Sequence, residues 1–232
     1  MHRPWPNVPL DQVTISLQRT ECLGICPGYT VRIHGDETVD YEGGGYVDVR
    51  DKHTYRIPPE QVALLVEDAR KADLWSMDAS YRAPITDMPT YVITLERGTE
   101  KHEIEDYAGW MVGMPKAIRD FEDEVDRLGR TGEWIRLSLT AVAQLQGEGF
   151  DFHSTDAADI LVRAVANNEG SDEAAMLRMI ELGAPLVGGS SVERQPEPRA
   201  KPGSTLLENA LLHHRTTLIG PLVERGLLNT RG

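Results

Sequence analysis

The sequence predicts an α+β protein: an antiparallel sheet with two helices on one face, followed by an all-α array of helical hairpins. Three observations carry this. Apolar and polar residues alternate with period two through most of the first 135 residues, and two helical stripes, each opened by proline, interrupt that alternation. The strands come in adjacent pairs around short turns, which favours antiparallel pairing over a crossover layout. After residue 135 the alternation stops, and helical stripes recur at a spacing close to a known repeat length.

In chain order, "VTISLQ" places Val13, Ile15 and Leu17 on one side of a strand. "YTVRIHGDETVDY" repeats the alternation on either side of a Gly-Asp turn, so residues 29–42 read as a hairpin. The run Gly43-Gly44-Gly45 breaks it, and "YVDVRDKHTYRI" reads as a further strand or an irregular pair. Pro58-Pro59 opens a helix with Val62, Leu65, Ala69 and Ala72 as its stripe. "TYVITLERGTEKHEIEDY" is a second hairpin turning at Gly98. Pro115 opens a second helix, with Ile118, Phe121, Val125 and Leu128 inward and the acidic "EDEVD" expected to face water.

The stretches "LQRTECLGICPGYTVRIHGDETVDYEG", Tyr81, "TDMPTYVITL" and "EDY" resemble the bacterial family catalogued as domain of unknown function 6438. Its pattern is a Cys-x3-Cys-Pro-x-Tyr hairpin followed by a Thr-Asp-x-Pro strand. The resemblance spans roughly residues 12–134 and implies a fold; it implies no activity.

Cys22 and Cys26 are the chain's two cysteines. Four residues of straight strand span ~13 Å, whereas a disulfide needs Cα atoms within ~7 Å, so the pair can meet only if Leu23-Gly24-Ile25 loops back. A cluster of the radical type would need a third cysteine where Tyr29 stands. Zinc wants four ligands, and His34, His53 and His102 are scattered. Copper-chaperone thioredoxin-like proteins carry a similar string, but there it leads into a helix. A structural pair (disulfide or packed thiols) and a redox or Cu(I)-handling pair remain, the structural reading being favoured because no cation adjoins the motif. No metal site and no cofactor are expected. Asp87 reads as a turn residue and Asp106 as a strand-end residue that satisfies backbone amides.

The last 95 residues carry the repeats. In "STLLENALLHHRTTLIGPLVERGL", Thr205, Leu207 and Ala210 fall on the Thr, Leu and Ala of the ankyrin Thr-Pro-Leu-His-x-Ala signature, with Leu218, Leu222 and Gly226 on the second helix and its end. "DILVRAVANNEG" and "AAMLRMIELGAPL" give another copy, and "LTAVAQLQGEGFDF" half of one, about two and a half in all. Gly149 and Gly183 are 34 residues apart, close to the ankyrin period of ~33. Domains at 1–135 and 136–232 follow, with an inserted loop at 188–202. So short an array should dock on the sheet domain, with Trp134 and Ile135 at the joint.

The net charge is −13. Residues 1–135 carry 15 Lys/Arg against 25 Asp/Glu, and the remainder 9 against 12. This balance disfavours phosphate backbones and anionic membranes as partners. It points to another protein, with a basic one as the sharper expectation. "MHRPWPNVPLDQVTISL" has no apolar h-region, so a cytoplasmic protein is expected. No nucleophile elbow, phosphate loop or His-Glu-x-x-His is present. The expected function is therefore a protein-interaction module without catalysis, of the inhibitor or immunity type, with a thiol-dependent redox or Cu(I)-handling protein as the alternative. The expected binding residues are Arg194, Arg199 and Lys201 in the inserted loop and His213 and His214 on the neighbouring helix.

Overall fold

A computed structural model of the chain describes residues 3, 5, 7–167, 170–187 and 204–225. They form a seven-stranded sheet in the N-terminal half followed by helices. They fall into two units, the first within Met1–Gly45 and Asp51–Gly132, the second within Tyr46–Arg50 and Glu133–Gly232.

The strands of the first unit are β1 (Val13–Arg19), β2 (Tyr29–His34), β3 (Thr38–Gly43), β4 (Asp51–Arg56), β5 (Ser80–Arg82), β6 (Tyr91–Arg97) and β7 (Glu100–Tyr107). Their order is β4-β3-β2-β1-β6-β7-β5, antiparallel throughout except for the parallel pair β5–β7. The three-residue β5 has no periodic signature, and the sequence did not foretell it. Helices α1 (Pro59–Lys71) and α2 (Lys116–Leu128) bury Val62, Leu65 and Ala69, and Ile118, Phe121, Val125 and Leu128, respectively. They cover the face that carries Val13, Ile15, Leu17, Val31, Ile33, Ile93, Leu95 and Ile104, each at most 3 % exposed. The opposite face carries Thr14, Ser16 and Gln18, which stay half-buried or exposed. Burying one face only is what period-two alternation dictates.

The expectation that "EDEVD" faces water is corrected: Glu122 is 0 % exposed, and the Asp126 side chain is 21 % exposed. Both fall on the apolar stripe, since Glu122 follows Ile118 by four residues and Asp126 follows Glu122 by four.

In the second unit, a four-residue α3 (Gly132–Ile135) leads to α4 (Leu139–Gly147), α5 (Thr155–Ala166), α6 (Glu173–Glu181), α7 (Leu206–Leu212) and α8 (Thr216–Glu224). Side chains of Ser138, Ser154, Asp172 and Thr205 cap α4 to α7, and Thr205 with Glu208 forms a capping box. The helices pack in two rows, α4 on α6 and α6 on α8, with α5 on α7. Arg215 donates to the carbonyls of Ala164 and Val165 at 3.0 and 3.1 Å and to that of Asn167, satisfying the open end of α5. Among the described residues no helix is long and apolar enough to cross a membrane.

Residues 46–50, read from sequence as strand or irregular pair, belong to the second unit. Asp48 N donates to the Ile135 carbonyl at 3.0 Å and Val49 N to that of Trp134 at 3.1 Å. The Asp48 carboxylate, 0 % exposed, accepts from Leu137 N (2.7 Å), Ser171 Oγ (2.6 Å) and Asn167 Nδ2. A carboxylate taken out of water needs such donors on both oxygens. Asp48→Asn replaces one acceptor oxygen by a donor amide, and loss of about 3 kcal/mol is expected. Chemical denaturation followed by helical circular dichroism measures it, and an unchanged midpoint would deny the carboxylate this role.

Candidate functional site

One end of the sheet gathers the features that a folded core alone does not explain. The last row of the helix-covered face runs Tyr29–Arg19–Tyr91–Asp106–Tyr81 across β2, β1, β6, β7 and β5. Strand alternation puts these polar residues on the same face as the apolar core positions. Asp126 answers them: it takes Arg19 Nε at 2.8 Å, the Tyr29 hydroxyl at 2.6 Å and the Thr131 hydroxyl at 2.8 Å. The Arg19 guanidinium also lies 4.2 Å from the Tyr91 ring centroid. Burial opposes the charge on Arg19, but Asp126 beside it keeps the guanidinium protonated, above its ordinary range. Burial and then the Asp126 charge hold the Tyr29 phenol above its ordinary value.

Glu122 completes the row. Neither of its carboxylate oxygens has a hydrogen-bond partner among the described residues. Burial, with Asp106 as the next cause, pushes its pKa up to about 8; Asp123 acts in the same direction, while Arg19 and Arg119 act against it. Asp106, 2 % exposed, accepts from Gly109 N at 2.6 Å, the amide-satisfying role its place at a strand end predicts.

Three loops leave the sheet at this end. The first joins β1 to β2 and is closed by a Cys22–Cys26 disulfide with Cα atoms 5.5 Å apart. The chain therefore does loop back, with Gly24 N donating to Cys22 Sγ at 3.2 Å. The cysteines are half-buried, whereas Leu23 and Ile25 between them are 80 % and 58 % exposed. The loop is anchored by Glu21, whose carboxylate accepts from Gly45 N at 3.0 Å. A Cβ on Gly45 would lie 2.1 Å from that carboxylate, so a larger residue there would have to displace the Glu21 side chain. A shallow groove of about 610 Å³ runs beside it, lined by Arg19, Thr20, Glu21, Gly28, Tyr29 and Gly43 among others.

The second loop, 83–90, is tied to the first by Thr20 N donating to the Thr90 carbonyl at 2.9 Å and Thr90 N to the Thr20 hydroxyl at 2.8 Å. It exposes Met88 by 39 %, and Asp87 takes a left-handed φ of 68°. The third, 108–115, starts with Ala108 at φ 50° and exposes Trp110 (58 %), Met111 (49 %) and Val112 (45 %). Roots on adjacent or next-adjacent strands lie within roughly 10 Å of each other.

The other residues singled out from sequence lie elsewhere. Arg194, Arg199 and Lys201, with the inserted loop at 188–202 and Gly226, lie outside the described residues, apart from loop residue 188's neighbour Val187, which bridges Thr205. His213 is 5 % exposed, and both its ring nitrogens lack a hydrogen-bond partner among the described residues. It presents no ring to a partner. His214 is exposed. Sequence reasoning missed Arg19, Tyr91, Glu122 and Asp126, although the four-residue spacing of the last two with Ile118 was readable. It also passed over Trp110-Met111-Val112, an apolar run between two glycines.

A family model described as Domain of unknown function (DUF6438) matches residues 13–129, and the chain belongs to that family. The match covers half of the chain and coincides with the sheet from β1 to the end of α2. No curated protein matches the chain.

Two expectations follow. The folded pKa of Glu122 is raised from 4.5 to about 8, so between those values the folded state holds a proton that the unfolded chain has lost. Its stabilising share is full below about pH 4.5 and disappears as pH rises through about 8. Glu122→Gln imitates the protonated acid. It should flatten that decline and gain a few kcal/mol at the alkaline end, read from urea midpoints across the range; parallel profiles for the two proteins would refute it. The disulfide closes a very short loop, so its removal by Cys22→Ser with Cys26→Ser should cost at most about 2 kcal/mol. A larger loss, or collapse of the sheet by circular dichroism, would show that the bridge supports more than its own loop.

Proposed function

We propose that this chain is a protein-interaction module without catalysis, binding through the loop end of its sheet unit. The observation that supports this reading best is the placement of exposed apolar side chains. Six large ones, Leu23, Ile25, Met88, Trp110, Met111 and Val112, occur in three neighbouring loops. Exposed apolar residues scattered singly are ordinary, whereas their concentration at one end marks an interaction surface. The stretches that carry the family pattern also meet here, through Cys22, Cys26, Tyr29, Tyr81, Asp87, Asp106 and Tyr107.

We read the helical unit as ankyrin-like. Its two rows of packed helices, the cap at Thr205 and the positive φ of Gly149 (76°) and Gly183 (105°) after α4 and α6 support that. An inhibitor or immunity-type role is the form such a module would take, because a stapled loop can occupy another protein's site. The disulfide supports an oxidising compartment over the cytoplasm.

One observation favours a second reading, a thiol-dependent redox or Cu(I)-handling protein. The Gly24 N–H directed at Cys22 Sγ would stabilise a thiolate there once the bridge is reduced. The two readings separate in one experiment. A captured partner, purified and titrated back, should bind saturably and emerge chemically unchanged. Turnover of insulin disulfides by the protein with dithiothreitol as reductant, abolished by Cys22→Ser, would instead establish the redox reading.

A further inference from the structure

Resting on the interaction-module reading, we propose that the partner is a basic protein surface, gripped by two apolar prongs set in an acidic surround. One prong is Leu23 and Ile25, the other Trp110, Met111 and Val112, with Met88 between their roots.

The charges select this occupant. Loops 20–28, 83–90 and 108–115 contain no lysine or arginine; their charged residues are Glu21 and Asp87. Both are exposed, and neither has an ion-pair partner among the described residues: Glu21 holds Gly45 N, and Asp87 accepts from the Thr86 hydroxyl. Three of the nearby cations are already engaged, while Arg119 on the first turn of α2 stands exposed. Arg82 lies beside Glu105 at 3.4 Å and over the Tyr107 ring, Lys116 pairs with Asp120, and Arg19 is held by Asp126. Apolar tips flanked by two exposed carboxylates without ion-pair partners among the described residues match apolar sockets flanked by Lys or Arg. The same carboxylates repel a second copy of this chain and an anionic bilayer.

The prongs are also preorganised. The disulfide fixes the ends of the Leu23-Gly24-Ile25 tip, and the Asp106–Gly109 hydrogen bond fixes the start of the Trp110 turn. Ordering lost on binding is therefore small, which is how a small patch reaches useful affinity. Tryptophan is among the residues enriched as energetic anchors of such a patch.

The test uses the full chain and a display library of random short peptides. Peptides selected on the wild type should combine Lys or Arg with Leu, Phe or Trp, and their binding should weaken as salt rises. Affinity should fall at least tenfold for Leu23→Ser with Ile25→Ser, and for Trp110→Ala, and severalfold for Asp87→Asn. Leu64→Ser, an exposed apolar residue on α1, should leave it unchanged. Selected peptides that bind the prong variants as well as the wild type would overturn this inference while leaving the interaction reading intact. Acidic or uncharged selected peptides would overturn the partner's chemistry. Binding to vesicles of phosphatidylcholine, lost in the prong variants, would give the surface to a membrane. No enrichment of any peptide would sink the interaction reading along with the inference.

Discussion

The partly buried pair between Arg19 and Asp126 is the constraint on which the sheet unit is arranged. β1 ends on an inward-facing cation, and a cation under a helix must meet an acid or destabilise the fold by several kcal/mol. Asp126 supplies that acid and also takes the hydroxyls of Tyr29 and Thr131. Sliding α2 by one helical turn (~5.4 Å) would set Glu122 against Arg19 instead, since the two acids are four residues apart. The hydroxyls resist that slide, and so does packing beyond the helix. A Cβ on Gly129 would lie 3.1 Å from Val31 and 3.3 Å from Ile33, while the Tyr55 hydroxyl donates to the Gly129 carbonyl. The register of α2 on the sheet is thus fixed by polar geometry, with hydrophobic burial supplying the bulk of the stability.

That division explains what the sequence made legible. β1, β2, β3, β6 and β7, with α1 and α2, stood out because burial on one face leaves a periodic trace. β5 did not, because three residues are too few for a period and its parallel pairing to β7 is a long-range event. Glu122 and Asp126 were misplaced for a related reason. Within "EDEVD" composition argues for solvent and spacing argues for the core, and only the position of Arg19 in space decides between them.

The helical unit makes the same point with Asp48. In sequence it is one acid in a strand-like segment, but in space it gathers donors from Leu137, Asn167 and Ser171, some 90 to 120 residues away. Caps at Ser138, Ser154, Asp172 and Thr205 were local and readable, whereas a carboxylate that replaces water for distant donors has no local signature. The cysteine pair lies between these cases. Its spacing showed that the chain must loop back if the sulfurs are to meet, but spacing alone left bridge, packed thiols and redox pair open. The exposed prongs were invisible for a simpler reason. Apolar residues in loops read as ordinary core until the fold leaves them uncovered.

Of the eight non-glycine residues with left-handed backbone among the described residues, two, Asp87 and Ala108, sit in the exposed loops of the sheet end. Asp87 and Ala108 both hold left-handed backbone at about 1–2 kcal/mol each, and Ala108 lacks the side-chain hydrogen bond that eases this for aspartate. Gly109 follows Ala108 directly, and its amide is held by Asp106 beside the protonatable Glu122. Selection for stability alone would relax these angles and cover Trp110. Keeping them instead fixes an apolar turn at a defined distance from a disulfide-closed tip. The acidity of the unit then limits self-association through the same residues. Rigidity from the buried row, apolar reach from the loops and repulsion from the surrounding carboxylates are three separate costs to the isolated fold. We propose that they are parts of one recognition surface.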